Sequence, residues 1–160
     1  MREVALVTGA SSGIGLEIAK ILASQNYDLV ICARREKELQ DLAEEISRQH
    51  TVNCKVIVAD LTTEEGVDLL IKDSGEVDIL VNNAGFGILG DHLDMQLGRQ
   101  LEMIELNIHA LTRLSHVFGN LMVKKGNGRI MNVASIASYI SGPSFAVYCA
   151  TKAYVLSYSR

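Results

Sequence analysis

Short runs of β-branched and other apolar residues alternate along this chain with longer segments of helical periodicity. The alternation predicts βαβ units, in which parallel strands are joined by helices that cross over the sheet. The expected strands are 4–8, 28–33, 55–59, 78–81 and 128–134. The expected helices are 14–24, 36–49, 64–72, 93–123 and a last one that begins near 145 and still runs at 160. The predicted fold class is therefore α/β: a doubly wound parallel sheet with helices on both faces.

Apolar positions inside the predicted helices recur with the helical period, which indicates amphipathic helices that pack on the sheet. In the helix at 14–24 one face carries Ile14, Ile18, Ile21 and Leu22. In the helix at 36–49 the inward positions include Leu39, Leu42, Ala43 and Ile46. In the helix at 93–123 the period is given by Leu101, Ile104, Ile108, Leu111 and Leu114.

Composition excludes several classes of protein. The 160 residues are 48% hydrophobic, which suits one domain over residues 1–160 with a sizeable core. Lys and Arg total 15 against 19 Asp and Glu, and no basic run is present, which argues against a nucleic-acid partner. The apolar runs are too short and too interrupted for a membrane span. Because the first apolar run begins at Val4 with no signal-like segment before it, we expect a cytoplasmic protein.

A glycine-rich turn follows the first strand, with the sequence Thr8-Gly9-Ala10-Ser11-Ser12-Gly13-Ile14-Gly15, and a helix follows at once. Glycines here allow a sharp turn and let backbone N–H groups approach a pyrophosphate at the positive end of the helix. Such turns also occur as plain packing devices, but the position between a strand and a helix favours a dinucleotide site.

The end of the second strand bears on which dinucleotide binds. NAD sites usually place an acidic residue here, whereas Arg suits the 2′-phosphate of NADP. In this chain Ala33 stands at the acidic position and Arg34 follows it. A guanidinium can bind a phosphate bidentately, so Arg34 predicts NADP(H), with NAD(H) as the alternative. We interpret Arg35 as a solvated charge at the start of the next helix.

Further motifs make the chain resemble the short-chain dehydrogenase/reductase family. Asn82-Asn83-Ala84-Gly85 is similar to the N-N-A-G signature of that family, and Asp60 matches its adenine-contacting acidic position. Its catalytic Asn, Ser, Tyr and Lys are matched, in order and spacing, by Asn107, Ser135, Tyr148 and Lys152. The resemblance covers essentially the whole chain and implies a Rossmann fold that binds NADP(H) and acts on a carbonyl or alcohol.

The resemblance also implies a set of cofactor contacts, which are Gly9, Ser11, Ser12, Gly13, Ile14, Gly15, Arg34, Asp60, Leu61, Asn83, Ala84, Gly85, Tyr148 and Lys152. Within this set Asn83 is expected near the cofactor ribose, and Lys152 is expected to bond the nicotinamide ribose. Asn82 is expected to tie strands together instead. Phe86-Gly87 resembles a subset of the family that acts on apolar carbonyls. No metal ligands are expected.

The side chains of the four catalytic candidates have the chemistry that the implied reaction needs. Tyr148 and Lys152 are four positions apart and share one face of the last helix. A free tyrosine has a pKa of about 10, and a nearby ammonium favours its phenolate form, so Tyr148 can serve as the general acid or base. Ser135 would orient the substrate oxygen, with Ser138 as a second candidate. In the family the Asn holds a water of a proton relay; otherwise Asn107 would be interpreted as a polar residue that kinks its helix.

Two alternatives remain open at this point. A non-catalytic dinucleotide-binding or interaction module could keep the same fold, although the intact tetrad argues against it. A sugar-nucleotide epimerase shares Y-x-x-x-K, although N-N-A-G and the glycine spacing disfavour it.

The end of the sequence raises a separate expectation. Arg160 comes inside a predicted helix without a stop signal, so we expect the domain to be incomplete at its C-terminus. Two later strands, a Pro-Gly segment and the substrate loop of the family are absent. We further expect a homo-oligomer, a dimer or tetramer, formed through the long helix and the last helix. The substrate itself is not predicted.

Overall fold

The computed structural model describes residues 2–160 and contains a parallel sheet in the order β3-β2-β1-β4-β5. The strands are β1 (Val4–Thr8), β2 (Asp28–Ala33), β3 (Cys54–Val58), β4 (Ile79–Asn82) and β5 (Arg129–Asn132). The helices are α1 (Gly13–Ser24), α2 (Glu36–Gln49), α3 (Glu64–Ser74), α4 (Leu97–Ile104), α5 (Leu111–Lys125) and α6 (Ala146–Tyr158). The predicted doubly wound α/β fold is confirmed, and its strand order reverses between β1 and β4.

Successive residues of the central strands point to opposite faces, so each strand contributes to two apolar cores. On β1, Ala5 and Val7 join the core beneath α1 and α2, whereas Leu6 joins the core beneath α3 and α5. The four inward positions predicted for the helix at 36–49 are all buried against the first of these cores. Helices therefore cover both faces of the sheet.

Strand bounds differ from the prediction by one or two residues. β3 and β4 are each shifted by one position, to Cys54–Val58 and Ile79–Asn82. The fifth strand is shorter than 128–134 and spans only Arg129–Asn132. Beyond it, the Val133 N–H still donates to the Asn82 carbonyl of β4, while the Val133 carbonyl accepts from the Lys152 ammonium.

The apolar face predicted for the first helix is half right. Ile18 and Leu22 pack against the core, whereas Ile14 is 62% exposed and Ile21 is 55% exposed. The fully buried positions of α1 are Gly15, Ala19 and Ala23. Small side chains let the helix axis approach the strands closely, so hydrophobicity alone missed the centre of the packed face.

The long helix predicted at 93–123 begins later, at Leu97, and ends later, at Lys125. A turn delays its start, because Asp91 accepts hydrogen bonds from the backbone of Leu93 and Met95. Gly126 ends it in the left-handed conformation, at a φ of 77°. Leu101, one of the predicted periodic positions, lies exposed rather than in the core.

A π-helical segment, Glu105–Ala110, interrupts the long helix between α4 and α5. Such segments insert one extra residue into an α-helix and are frequent at functional sites. Asn107 lies in this segment and is buried. The polar residue that interrupts the apolar pattern of the long helix thus lies where the helix type changes.

Two 3-10 turns, Ile136–Tyr139 and Pro143–Phe145, connect β5 to α6. The last helix begins at Ala146, which confirms the predicted start near 145, but it ends at Tyr158, so the prediction that it still runs at 160 is wrong. Within residues 2–160, no helix has the length and apolar character needed to cross a bilayer.

Candidate cofactor and acid–base site

The candidate site lies at the carboxyl ends of the strands, where β1 and β4 lead to opposite sides of the sheet. In open α/β sheets this point of reversal forms a crevice in which ligands bind. The glycine-rich turn leaves β1 here and Asn83-Ala84-Gly85 leaves β4. Gly9 of the turn and Asn83 after β4, which are 74 positions apart in sequence, are thus neighbours in space.

The three glycines of the turn have different environments. A Cβ on Gly9 would lie 2.8 Å from the Ala84 Cα, and a Cβ on Gly15 would lie 2.5 Å from the Gly9 carbonyl oxygen. These two glycines therefore permit close packing of backbone on backbone. Gly13 has a φ of +58° and faces open space, so its backbone is accessible from outside. Together they form a turn that a phosphate group can approach closely.

Thr8 and Asn83 hold the turn against β4. The buried Thr8 hydroxyl accepts from the Asn83 and Ala84 backbone N–H groups, each at 3.0 Å, and donates to the Val81 carbonyl. The Asn83 Nδ2 donates to the carbonyls of Thr8 and Gly9 at 3.0 and 3.2 Å. Its amide donors therefore hold the turn against the end of β4.

Asn82 performs the role predicted for it. Its Nδ2 donates to the Asn132 Oδ1 across the β4–β5 pair and to the Ser115 Oγ of α5, each at 2.9 Å. This side chain joins the edge strand and a helix to β4.

Two arginines follow β2, and the structure assigns them different contacts. The Arg35 Nη2 donates to the Ser11 Oγ at 2.9 Å and to the Ser12 Oγ at 2.6 Å. The Arg34 guanidinium lies 3.7 Å from the Asp60 carboxylate. Our interpretation of Arg35 as a merely solvated charge is therefore wrong, because it reaches over the glycine-rich turn. Arg34 flanks the same opening from the side of β3.

These groups border a cavity of about 270 Å³. Its lining residues are Gly9, Ser11, Ser12, Ala33, Arg34, Arg35, Ala59, Asp60, Leu61, Ala84, Gly85, Phe86 and Leu106. Burial raises the pKa of Asp60, but hydrogen bonds from Thr62 and the Arg34 guanidinium hold that pKa below its ordinary value. The cavity therefore combines an ionised carboxylate, two guanidinium groups and two hydroxyls beside an open glycine turn, which suits a phosphorylated nucleotide.

Tyr148 and Lys152 lie on consecutive turns of α6, as the spacing predicts. The Lys152 Nζ is 5.9 Å from the centroid of the Tyr148 ring. Phe145 stacks on that ring with centroids 4.4 Å apart, and a Cβ on Gly87 would lie only 2.7 Å from the Tyr148 Cδ2. The ring is therefore held between Phe145 and the backbone that follows β4.

Lys152 is buried, at 6% exposure, and its Nζ donates to the Val133 carbonyl at 2.7 Å. Burial lowers its pKa below the ordinary value of 10.5. A Cβ on Gly85 would lie 3.6 Å from this Nζ and 2.9 Å from the Asn107 Oδ1. Gly85 therefore lies close to both the Lys152 ammonium and the Asn107 amide.

The Asn107 side chain forms a reciprocal pair with Phe86. Its Oδ1 accepts from the Phe86 backbone N–H at 3.1 Å, and its Nδ2 donates to the Phe86 carbonyl at 3.0 Å. The same Nδ2 also donates to the Thr151 Oγ1 at 3.0 Å. Asn107 therefore links the segment after β4 to α6.

Ser135 precedes the first 3-10 turn, where its Oγ accepts from the Ala137 backbone N–H. The Ser138 hydroxyl accepts from the Ser135 N–H at 3.3 Å and donates to the Lys152 carbonyl at 2.8 Å. Ser138 thus joins the Ser135 turn to α6 and does not duplicate Ser135. The structure brings all four tetrad positions to one end of the sheet.

Several residues of this site carried no assigned role in the sequence. Thr8 begins the glycine motif, and its position at the end of β1 could have indicated a role in holding the turn. Thr151 precedes Lys152 and Arg35 follows Arg34, but nothing in their local sequence reveals partners 44 and 24 residues away.

The chain is similar to known proteins over almost its whole length. The sequence profile of the family described as short chain dehydrogenase matches residues 3–160. The chain belongs to the short-chain dehydrogenase family. An uncharacterized oxidoreductase of Bacillus subtilis, YvaG, is 37% identical over 159 residues, which are 99% of this chain and 60% of that protein.

Solved structures of the family superpose closely. A short-chain dehydrogenase from Sphingobium yanoikuyae in complex with NADPH is 34% identical, with a TM-score of 0.92 over 98% of this chain and 63% of that one. A bulky-bulky ketone specific alcohol dehydrogenase from Comamonas testosteroni is 33% identical, also with a TM-score of 0.92, over 98% and 64% of the two chains. The chain thus spans about 60–66% of the length of these relatives.

Proposed function

We propose that the protein carrying these residues is an NADP(H)-dependent oxidoreductase that interconverts a carbonyl and an alcohol, with Tyr148 as its general acid or base. The observation that carries this proposal is the joint presence, at one end of the sheet, of a phosphate-accessible glycine turn and the Tyr148–Lys152 pair on α6. Neither feature alone favours an enzyme over a nucleotide-binding module, whereas their proximity across Gly85 supports the enzyme.

The preference for NADP(H) rests on the Arg35–Ser11–Ser12 cluster and on Arg34. A 2′-phosphate carries up to two negative charges and accepts several hydrogen bonds, and here two guanidinium groups and two hydroxyls border the cavity. Ala33 supplies no carboxylate to bind ribose hydroxyls. The NADPH complex of the Sphingobium yanoikuyae enzyme supports the same cofactor class.

For the reaction, the nicotinamide when bound supplies or accepts the hydride. Tyr148 protonates the carbonyl oxygen during reduction and takes the proton back during oxidation. The Lys152 Nζ lies close to the Tyr148 ring and would bond the nicotinamide ribose. Ser135 orients the substrate oxygen. Asn107 holds the segment after β4 in place and would support the relay of the proton toward solvent.

The test compares wild-type full-length protein with Tyr148→Phe, which keeps the ring stacked on Phe145 but removes its hydroxyl. Carbonyl reduction by NADPH is measured over a substrate panel. We expect kcat/KM to fall by about 10²–10⁴, with NADPH affinity little changed. Tyr139→Phe is the control, because Tyr139 is exposed and has no lysine four positions on; it should match wild type. Equal turnover in wild type and Tyr148→Phe would exclude this enzyme function, and NADPH binding without turnover would favour the non-catalytic module.

The preference for NADP(H) is tested by measuring the affinities of Arg35→Ala and Arg34→Ala for NADPH and for NADH by titration. Loss of a charge-assisted hydrogen bond should weaken NADPH by about 10- to 100-fold, and NADH should change little. Equal weakening of both dinucleotides would remove the phosphate role from that arginine.

A further inference from the structure

Thr151 lies between the two residues of the acid–base pair but belongs to a different network. It is 1% exposed and is one of the most deeply buried polar residues of α6. Its Oγ1 donates to the Tyr148 carbonyl at 2.8 Å and accepts from the Asn107 Nδ2 at 3.0 Å. One hydroxyl thus touches both the helix turn that carries Tyr148 and the amide of the π-helical segment.

The direction of these hydrogen bonds is determined by the groups involved. A hydroxyl has a single proton, and a carbonyl can only accept, so the Thr151 proton is committed to Tyr148. The Asn107 amide must therefore present Nδ2, not Oδ1, to Thr151. This leaves Oδ1 for the Phe86 N–H and the second Nδ2 proton for the Phe86 carbonyl, which are the contacts observed. Rotation of the amide by 180° would break both hydrogen bonds to Phe86, and Thr151 could then bond Oδ1 only by withdrawing its proton from the Tyr148 carbonyl.

The consequence extends to both halves of the site. Through Phe86, the amide fixes the segment that begins at Gly85 and passes beneath the Tyr148 ring at Gly87. Through Thr151, it fixes the α6 backbone at Tyr148. The distance between the end of β4 and the acid–base pair is thereby set by one buried chain of hydrogen bonds rather than by apolar packing alone.

We propose, building on the function proposed above, that Thr151 is a positioning residue: its hydroxyl locks the orientation of the Asn107 amide and thereby the placement of Tyr148 and Lys152 relative to the bound cofactor. Thr151 makes no contact with the reacting atoms itself. Its effect should therefore fall on the chemical step, since a small misplacement of catalytic groups lowers the rate strongly.

The experiment uses Thr151→Val, which keeps the shape of the side chain and removes the hydroxyl, and Thr151→Ser, which restores it. Thr112→Val is the matched control, because the Thr112 hydroxyl also joins the long helix to α6, through the Tyr154 Oη at 2.8 Å, but lies outside the Asn107 network. In the full-length protein we expect Thr151→Val to lower kcat about tenfold with the KM for NADPH within about twofold. Thr151→Ser should recover most of the rate, and Thr112→Val should retain it.

A second measurement does not depend on turnover. Solvent exchange of the Asn107 side-chain amide protons, followed by NMR in the cofactor-free protein, should be at least about fivefold faster in Thr151→Val than in wild type or Thr112→Val. Unchanged kcat and unchanged exchange in Thr151→Val would overturn the inference. Equal losses in Thr151→Val and Thr112→Val would also overturn it, because they would indicate general loosening of the helix pair.

The two proposals fail in distinguishable ways. A wild type that binds NADPH but reduces no carbonyl would overturn the proposed function and, with it, any role of Thr151 in the reaction. A wild type that turns over while Thr151→Val is equally active would overturn only the positioning role.

Discussion

The strands β1 and β5 both end in the candidate site, yet they are built differently. β1 has a parallel neighbour on each side, and its residues from Ala5 to Thr8 are buried on both faces of the sheet. Among the described residues β5 has a neighbour on one side only, and its Ile130 and Met131 are 40% and 51% exposed. The glycine-rich turn thus follows a buried central strand, and Ser135 follows the most exposed one.

The difference shows two ways of holding functional groups in position. On the β1 side, backbone packs against backbone at Gly9 and Gly15, and there is no room for a side chain. On the β5 side, side-chain hydrogen bonds carry the connection, from Lys152 to Val133 and from Ser138 to both Ser135 and Lys152. Substitutions should therefore be most costly to stability around β1 and costlier to activity than to stability around β5.

The largest effect on stability is expected for Gly15→Ala. Its Cβ would lie 2.5 Å from the Gly9 carbonyl oxygen, so the turn or α1 must shift. We expect the free energy of unfolding to fall by about 3 kcal/mol, measured by urea denaturation. Gly98→Ala in α4 is the control, because a Cβ there meets open space, and it should be neutral or slightly stabilising. Similar values for both variants would contradict the difference between the two sides.

An intermediate effect is expected for Asp78→Ala, at the opposite end of β1 and β4. The Asp78 carboxylate accepts from the Val4 backbone N–H at 2.8 Å and from the Lys125 Nζ at 2.7 Å. Its removal should cost about 2 kcal/mol, since Val4 loses its partner in a partly buried place. Asp68→Ala removes a carboxylate from an exposed ion pair with Arg113 and should cost under about 1 kcal/mol.

The pH dependence of the stability difference between wild type and Asp78→Ala tests whether the Asp78 carboxylate is its cause. Burial raises the pKa of Asp78, but the Lys125 and Val4 hydrogen bonds outweigh it and hold that pKa below its ordinary value of 3.8. A depressed pKa stabilises the folded state above the unfolded-state value, and this stability is lost as the pH falls through the folded-state value. The advantage of wild type over Asp78→Ala should therefore be constant near neutrality and shrink below pH 3.8. A difference that stays constant into that range would exclude the carboxylate as its source.

The smallest effect on stability is expected for Ser138→Ala, on the β5 side. Loss of the Ser138 hydroxyl leaves the Ser135 N–H without this acceptor and the Lys152 carbonyl without this donor. We expect the free energy of unfolding to fall by about 1 kcal/mol. Turnover should fall several-fold, because the Ser135 turn is no longer joined to α6. Ser141→Ala, at an exposed position in the same connection, should change neither quantity. If Ser138→Ala lost more stability than Gly15→Ala, the expected difference between the β1 side and the β5 side would be contradicted.

Local patterns predicted much of this molecule. The strand–helix alternation, the inward face of α2 and the i, i+4 placement of Tyr148 and Lys152 each depend on neighbours within a few residues. For that reason the fold class and the ends of the strands that carry the site could be predicted within one or two residues. The same reasoning failed in part for α1, where Ile14 and Ile21 are exposed and Gly15, Ala19 and Ala23 are the buried positions. The closeness of a helix to a sheet depends on partner atoms from distant segments.

By itself, the sequence determined the parallel α/β fold and the glycine turn, since these follow from periodicity and glycine chemistry. The four catalytic candidates were predicted from the resemblance to the short-chain dehydrogenase/reductase family. Only the tertiary structure decided that Arg35 reaches over the turn, that Asn83 is committed to it, and that Thr151 orients the Asn107 amide. Each of these contacts joins residues at least 23 positions apart. The direction of a hydrogen bond depends on which donor and acceptor the folded chain brings together, and no local pattern records that pairing.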